Sequence, residues 1–307
     1  MSDQSALAVE MVDEMERVGG LFPGYRRAHA RGLCFKAVFT PSGAAGALTT
    51  AAHLQAEPVH ATVRFSNAST DPRTPDVRGP WGMAVKFHLP DETDTDIVSV
   101  SLSVFLAPTP EIFLELLRAT GPDPDLGRPN PDRVNAFLAA HSESAPGIKE
   151  LAVQLPPVSY ATARYSALHA FTWVSPNLSR KSVRYHWEPA AGIANLREPQ
   201  AADVGPAYLA EELTRRLAEG PVVFTLHAQV AADGDPTDDA TRPWPRDRPE
   251  IVAGRLEVTA PVDDPVAGCE RLIFDPTRVT AGIECSDDPI LNFRAKAYGV
   301  SYERRSH

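Results

Sequence analysis

Hydrophobic and polar positions alternate with period two along much of this chain, the pattern of strands that bury one face. The alternation runs over residues 33–40 (Leu-Cys-Phe-Lys-Ala-Val-Phe-Thr), 59–66 (Val-His-Ala-Thr-Val-Arg-Phe-Ser), 81–89 and 96–106. It returns at 168–175, 181–188, 221–230 and 250–260. Elsewhere the period lengthens to that of a helix. Leu7, Met11, Met15 and Val18 form one stripe over residues 6–18, opposite Glu10, Asp13, Glu14 and Arg17, until Gly19-Gly20 stops it. Further helices are predicted at 111–119 behind Pro108 and Pro110, around 132–141 and 146–153, and at 206–219. A last one starts at Asp288-Pro289, a good N-cap and first turn, and runs to about residue 299. Eight strands in two groups of four, without the helix alternation of a parallel sheet, predict an α+β chain. Its expected architecture is an eight-stranded antiparallel β-barrel with helical insertions and a C-terminal helix, one domain over residues 1–307.

Composition narrows the function classes. Of 307 residues, 43% are apolar and 23% charged, which describes a soluble globular chain. The 29 prolines, nearly twice the usual ~5%, imply many turns, notably at 121–132 and 234–249. Forty acids against 30 bases leave a net charge of −10 and no long basic run, so neither nucleic acid nor a membrane surface is an expected partner. The acidic start (Asp3, Glu10, Asp13, Glu14) is opposite to the basic opening of a secretory signal, and no apolar run nears the ~18 residues of a spanning helix. Cys34, Cys269 and Cys285 are odd in number and match no zinc spacing. They predict neither a disulfide framework nor a structural metal, and a reducing cytoplasmic setting. The nine histidines are scattered, with no His-x-x-x-His pair, and there is no phosphate-cradling glycine loop.

On the C-terminal helix Arg294 and Tyr298 are four apart and share a face. Taken alone, an Arg over a Tyr ring is ordinary surface packing. The surrounding string changes the picture: Phe274-Asp275-Pro276-Thr277-Arg278, Gly282-Ile283-Glu284, Arg294-Ala295-Lys296-Ala297-Tyr298 and Arg304-Arg305. Upstream, in order, stand Arg26-Arg27-Ala28-His29-Ala30-Arg31-Gly32, Val63-Arg64-Phe65-Ser66, Arg78-Gly79, Gly82-Met83-Ala84-Val85-Lys86-Phe87 and Asp96-Ile97-Val98. Each fragment is weak; together, over residues 20 to 305, they resemble the core of the catalase family, in particular its short branch of catalase-related peroxidases.

The resemblance implies haem, taken as haem b, with Tyr298 as the iron ligand on the C-terminal helix and Arg294 stabilising its phenolate. A free tyrosine has a pKa near ~10, so anionic ligation needs strong neighbouring positive charge. His29 would be the distal acid and base, moving a proton between the two oxygens of a peroxide. Ser66 would orient its ring, and Arg64 and Ser66, two apart on a strand, would face the haem together. Arg26, Arg64 and Arg305 match positions that hold the propionates, a task suited to a permanently charged fork. Phe105 and Phe113 match aromatic positions beside the haem and the distal pocket.

Departures from the family pattern matter as much. Full-size catalases place an Asn, which polarises bound peroxide, where Val100 stands in ungapped register; Phe105 falls on the other strand parity, so a bulge would instead bring Ser99 or Ser101 into the pocket. The chain stops two residues after Arg305, and no NADPH is expected. The implied activity is peroxide reduction by an external small organic donor with weak dioxygen release, in a homo-oligomer of two or more chains. Alternatives are a transformer of fatty-acid hydroperoxides of the allene-oxide-synthase kind, whose Thr before the distal His is here Ala28, and a barrel that carries haem or lipid without catalysis.

Overall fold

Every second residue of the long strands is large and apolar, and these side chains meet inside a closed sheet. The computed structural model describes residues 3–306. Its order is α1 (Asp3–Gly19), β1 (Gly32–Pro41), β2 (Val59–Asn67), β3 (Trp81–His88), β4 (Asp94–Val100), α2 (Pro110–Thr120), α3 (Pro131–Ala140) and α4 (Ala145–Val153). There follow β5 (Tyr165–Val174), β6 (Arg180–Pro189), α5 (Glu198–Asp203), α6 (Tyr208–Glu219), β7 (Val222–Val230), β8 (Glu250–Pro261), β9 (Ile283–Cys285) and α7 (Pro289–Ser306). Neighbours pair antiparallel in the order β4-β3-β2-β1-β8-β7-β6-β5-β9, and the pair Val100↔Ser166 joins β4 to β5 and closes an eight-stranded barrel. Phe35, Phe39, Val63, Phe65, Val85, Phe87, Trp173, Tyr185, Trp187, Phe224, Leu226 and Leu256 fill it. The anticipated barrel is therefore present, with helices laid against its outside. Among the described residues no helix is long and apolar enough to cross a membrane.

Two expectations are corrected. The alternation at 96–106 does not continue as strand: β4 ends at Val100. There Ser101 Oγ accepts the backbone N–H of Trp81, and Ser103 donates to the Glu150 carboxylate, so side chains replace the ladder. The cysteines are also not all free, because Cys34 on β1 is disulfide-bonded to Cys269 in a π-helical turn, Val266–Glu270. Their separation of 235 residues left nothing local to read. The argument from cysteine count for a reducing compartment loses its basis.

Because odd positions fill the barrel, even ones on β1–β4 form its outer wall, and the pairing aligns them in rows. Gly32↔Ser66, Ser66↔Gly82 and Gly82↔Val100 make one row. Cys34↔Arg64, Arg64↔Ala84 and Ala84↔Val98 make the next. A third, through Thr62, Lys86 and Asp96, is sealed: Lys86 Nζ donates to Asp96 at 2.7 Å, and the same carboxylate accepts from Asp275 N–H and Arg278. Above the first two rows the cover is thinner: Ala84, Val98 and Val100 are only half-buried, with Ala84 and Val98 packed against Cys34, Cys269 and Phe274.

Candidate functional site

The segment between α1 and β1 lays His29 over the first row. His29 adopts φ +52°, a left-handed backbone uncommon for any residue but glycine. Its neighbours fix it there: Arg27 N–H donates to Ser301 Oγ of α7 at 3.1 Å, Ala30 N–H to Ser69 O at 2.9 Å, and Arg64 Nη2 to the His29 carbonyl at 2.9 Å. The imidazole then reaches Ser66, with Nδ1 to Oγ 2.9 Å. Its ring lies on Gly82, where a Cβ would stand 2.8 Å from Cε1 and Nδ1. Gly82 belongs to a fragment the sequence marked, but its role as the shelf under the imidazole follows only from strand pairing. Burial, then the positive charges of Arg64, Arg294 and Arg26, push the His29 pKa down to about 3. The ring is neutral across the physiological range and can accept a proton.

Ser99 and Ser101 do not enter this pocket. Ser99 pairs with Met83, whose side chain lies in the core, so Ser99 faces the barrel interior. Ser101 Oγ is held by Trp81 N–H and Gln154 Nε2. Val100 is the residue in the row beside Gly82, and it brings no donor.

Beyond the second row stands a cluster of positive charge. Arg26 donates to Glu270 at 3.0 Å and to the carbonyls of Cys269 and Leu272, and Arg305 donates to Leu272 O at 3.2 Å. Burial and the like charge of Arg26 lower Arg64 to about 9, and the same two causes lower Arg305 to about 10. Burial also lowers Arg26, against the pull of Glu270. One carboxylate serves three guanidiniums, and Arg64 Nε is buried without a partner. Such a cradle is short of negative charge and suits an anionic group. The Cys34–Cys269 bond fastens its outer edge to the wall.

On α7, Arg294 donates from Nε and Nη2 to the Tyr298 oxygen at 2.9 and 2.5 Å. Behind it runs a brace the sequence did not reveal. Arg294 Nη1 lies 3.1 Å from His169 Nε2, and His169 Nδ1 lies 2.7 Å from Asp288 Oδ2. Asp288 is also the expected N-cap, its other oxygen accepting from Ile290 and Leu291 N–H. His169 sits where β5 slips register between Ala167 and Phe171, an irregularity that turns its side chain toward α7. Burial is the largest influence on His169 and lowers its pKa, so the neutral ring can donate to Asp288 and accept from Arg294. Phe105 and Phe113 pack with centroids 5.2 Å apart, and Phe105 also approaches His169 at 6.3 Å. Phe105 stands after the end of β4, so strand parity has no bearing on it.

His29, Ser66, Arg64, Arg26, Arg305, Arg294 and Tyr298 thus converge from three segments, with Phe105 and Phe113 alongside. They offer a neutral base on one side, a phenol oxygen beside a guanidinium on the other, apolar floor between, and an anion cradle at the edge. The orphaned Arg64 Nε and the half-buried Ala84, Val98 and Val100 fit a flat, largely apolar group with carboxylates at one margin.

Comparison with known proteins agrees with that fit. The profile of the family described as Catalase matches residues 14–306. Over 301 residues, 97% of this chain and 94% of the relative, the chain is 37% identical to a catalase-related peroxidase of Mycolicibacterium paratuberculosis. Identity is 30% over 298 residues, 97% of this chain and 88% of the relative, to the catalase-related peroxidase of Synechococcus elongatus. Among solved structures, catalase A from Saccharomyces cerevisiae superposes with a TM-score of 0.83 at 22% identity, over 92% of this chain and 61% of the yeast one.

Proposed function

We propose, from the premise that this chain belongs to the catalase family, that it is a haem peroxidase of the catalase-related type. In this reading it reduces peroxide with electrons from a small organic donor and releases little dioxygen. The cofactor is taken as haem b and the working form as a homo-oligomer. When bound, the haem supplies a Lewis-acidic, redox-active iron.

The residues would share the work as follows. Tyr298 would offer its oxygen to the iron, and two N–H groups of Arg294 would stabilise negative charge on it. His169 and Asp288 keep that guanidinium in place. Arg26, Arg64 and Arg305 would hold the propionates, which would give Arg64 Nε the partner it lacks. On the opposite side Ser66 engages His29 Nδ1, which leaves Nε2 free to take a proton from one peroxide oxygen and return it to the other. A ring already neutral at pH 7 needs no prior deprotonation.

The observation that carries the choice of peroxidase is the row Ser66–Gly82–Val100, which sets an isopropyl group beside the imidazole where an amide donor would orient a second peroxide. One oriented donor contributes about 3–4 kcal/mol to a transition state. Dioxygen release should therefore be weak and phenolic donors oxidised readily; Val100→Asn should raise dioxygen release tenfold or more. Vigorous dioxygen release by the native protein with no donor oxidation overturns this reading.

A further inference from the structure

We propose that His186, His227 and Glu250 form a binding site for a divalent cation of the zinc type on the outer face of β6, β7 and β8, a face that shares no residue with the haem site. The sequence separates these residues widely, and no metal motif joins them. Pairing does: His186 lies directly across from His227 on β6 and β7. Glu250 opens β8 opposite Gln229, which shares a strand face with His227. A diagonal neighbour of that kind is within reach of a long side chain. A register slip between Leu226 and His227 turns this part of the strand.

The donor atoms already converge. His227 Nδ1 is 3.4 Å and His186 Nε2 3.8 Å from Glu250 Oε2, and the three ligand atoms lie within 4.8 Å of one another. With metal–ligand bonds of about 2.0–2.1 Å, the edge of a tetrahedral site is about 3.3–3.4 Å. One edge therefore has that length, and the others close with small side-chain rotations. The two imidazoles stack at 4.9 Å with planes 11° apart, so both can turn toward one point. A second observation is independent of proximity: His227 Nδ1 is buried without a hydrogen-bond partner, its approach to Glu250 lacking the necessary alignment. A cation between the two would satisfy both groups.

The donor set selects the ligand class. Two imidazole nitrogens and one carboxylate suit zinc or its transition-metal neighbours, whereas magnesium and calcium prefer all-oxygen shells. Three protein ligands leave a coordination position for water. One local feature opposes binding: Arg164 Nη2 lies 3.3 Å from His186 Nε2 and occupies its lone pair. Arg164 also pairs with Glu188, so it has a carboxylate to retain when it yields that nitrogen.

The test uses full-length, haem-loaded protein without a polyhistidine tag and Zn²⁺ as the probe, titrated against a chromophoric chelator. One zinc per chain with micromolar or tighter affinity is expected, with zinc-edge absorption reporting two imidazoles in its shell. His227→Ala and Glu250→Ala should each weaken binding at least tenfold, and Arg164→Ala should tighten it. No zinc retained at 10 μM free metal, or undiminished affinity in the His227→Ala/Glu250→Ala double variant, would overturn the proposal.

Discussion

Gly82→Ala puts the geometry of the distal side to a quantitative test. The new methyl would lie 2.8 Å from His29 Cε1 and Nδ1 and 3.0 Å from Ser66 Oγ. Comfortable carbon contacts begin near 3.5–4.0 Å, so the ring must retreat by roughly 0.7–1.2 Å. It cannot do so by moving its backbone, since hydrogen bonds to the His29 carbonyl and from Ala30 N–H pin both sides of a left-handed residue. The ring has to tilt instead, which breaks the 2.9 Å contact with Ser66. A catalytic group misplaced by about 1 Å loses on the order of 10²-fold in rate, or about 2.7 kcal/mol. The upper bound is His29→Ala, where the whole general base is lost at ~10²–10⁴-fold. The assay is stopped-flow reaction with peroxide, normalised to bound haem, with thermal denaturation run alongside. Full haem loading and unchanged folding with a rate down about a hundredfold is the expected result. A Gly82→Ala protein that binds haem and reacts within twofold of the native rate would refute the reasoning, and with it the placement of the base.

Two further outcomes follow from buried groups. The His29 and His53 pKa values stand at about 3, against ~6.5 for a free imidazole, burial being the first cause in each. As pH falls the unfolded chain takes up these protons first, so the stability of the neutral buried form is complete above pH 6.5 and is lost toward pH 3. His53→Gln, which cannot charge, should lose about 1.6 kcal/mol less than the native protein between pH 6.5 and 5 in denaturant titrations; identical slopes would count against a neutral His53. Cys34→Ser should cost about 2–5 kcal/mol of stability and speed haem loss by loosening the turn whose Cys269 carbonyl holds Arg26. Equal denaturation midpoints for the two proteins under non-reducing conditions would remove the disulfide from the account.

The barrel was legible because each long strand buries one face, and period two survives in Val63-Arg64-Phe65-Ser66 even though Arg64 and Ser66 are themselves buried by the site. The same rule misled at 101–106, where Ser, Leu, Ser and Val alternate but Glu150 and Trp81 claim the hydroxyls and the chain leaves the sheet. β9, at three residues, is too short to carry a period. The family fragments drew His29, Arg64, Ser66, Arg294 and Tyr298 together, and the structure brings those side chains into one cluster. His169 escaped notice because a slip in β5, not a motif, aims it at Arg294, and Asp288 because its capping role accounted for it fully. Cys34 and Cys269, like His186 and His227, are neighbours only through pairing of distant segments.

The central claim is that the outer wall of β1–β4 and helix α7 enclose a haem whose iron is ligated by Tyr298. The ferric absorption spectrum tests it most directly, recorded on the native protein and on Tyr298→Phe after equal exposure to haem. The account predicts a tyrosinate-ligated, high-spin spectrum in the native protein and a displaced spectrum or lost haem in the variant. A Tyr298→Phe protein with native haem content and an unaltered spectrum would contradict it.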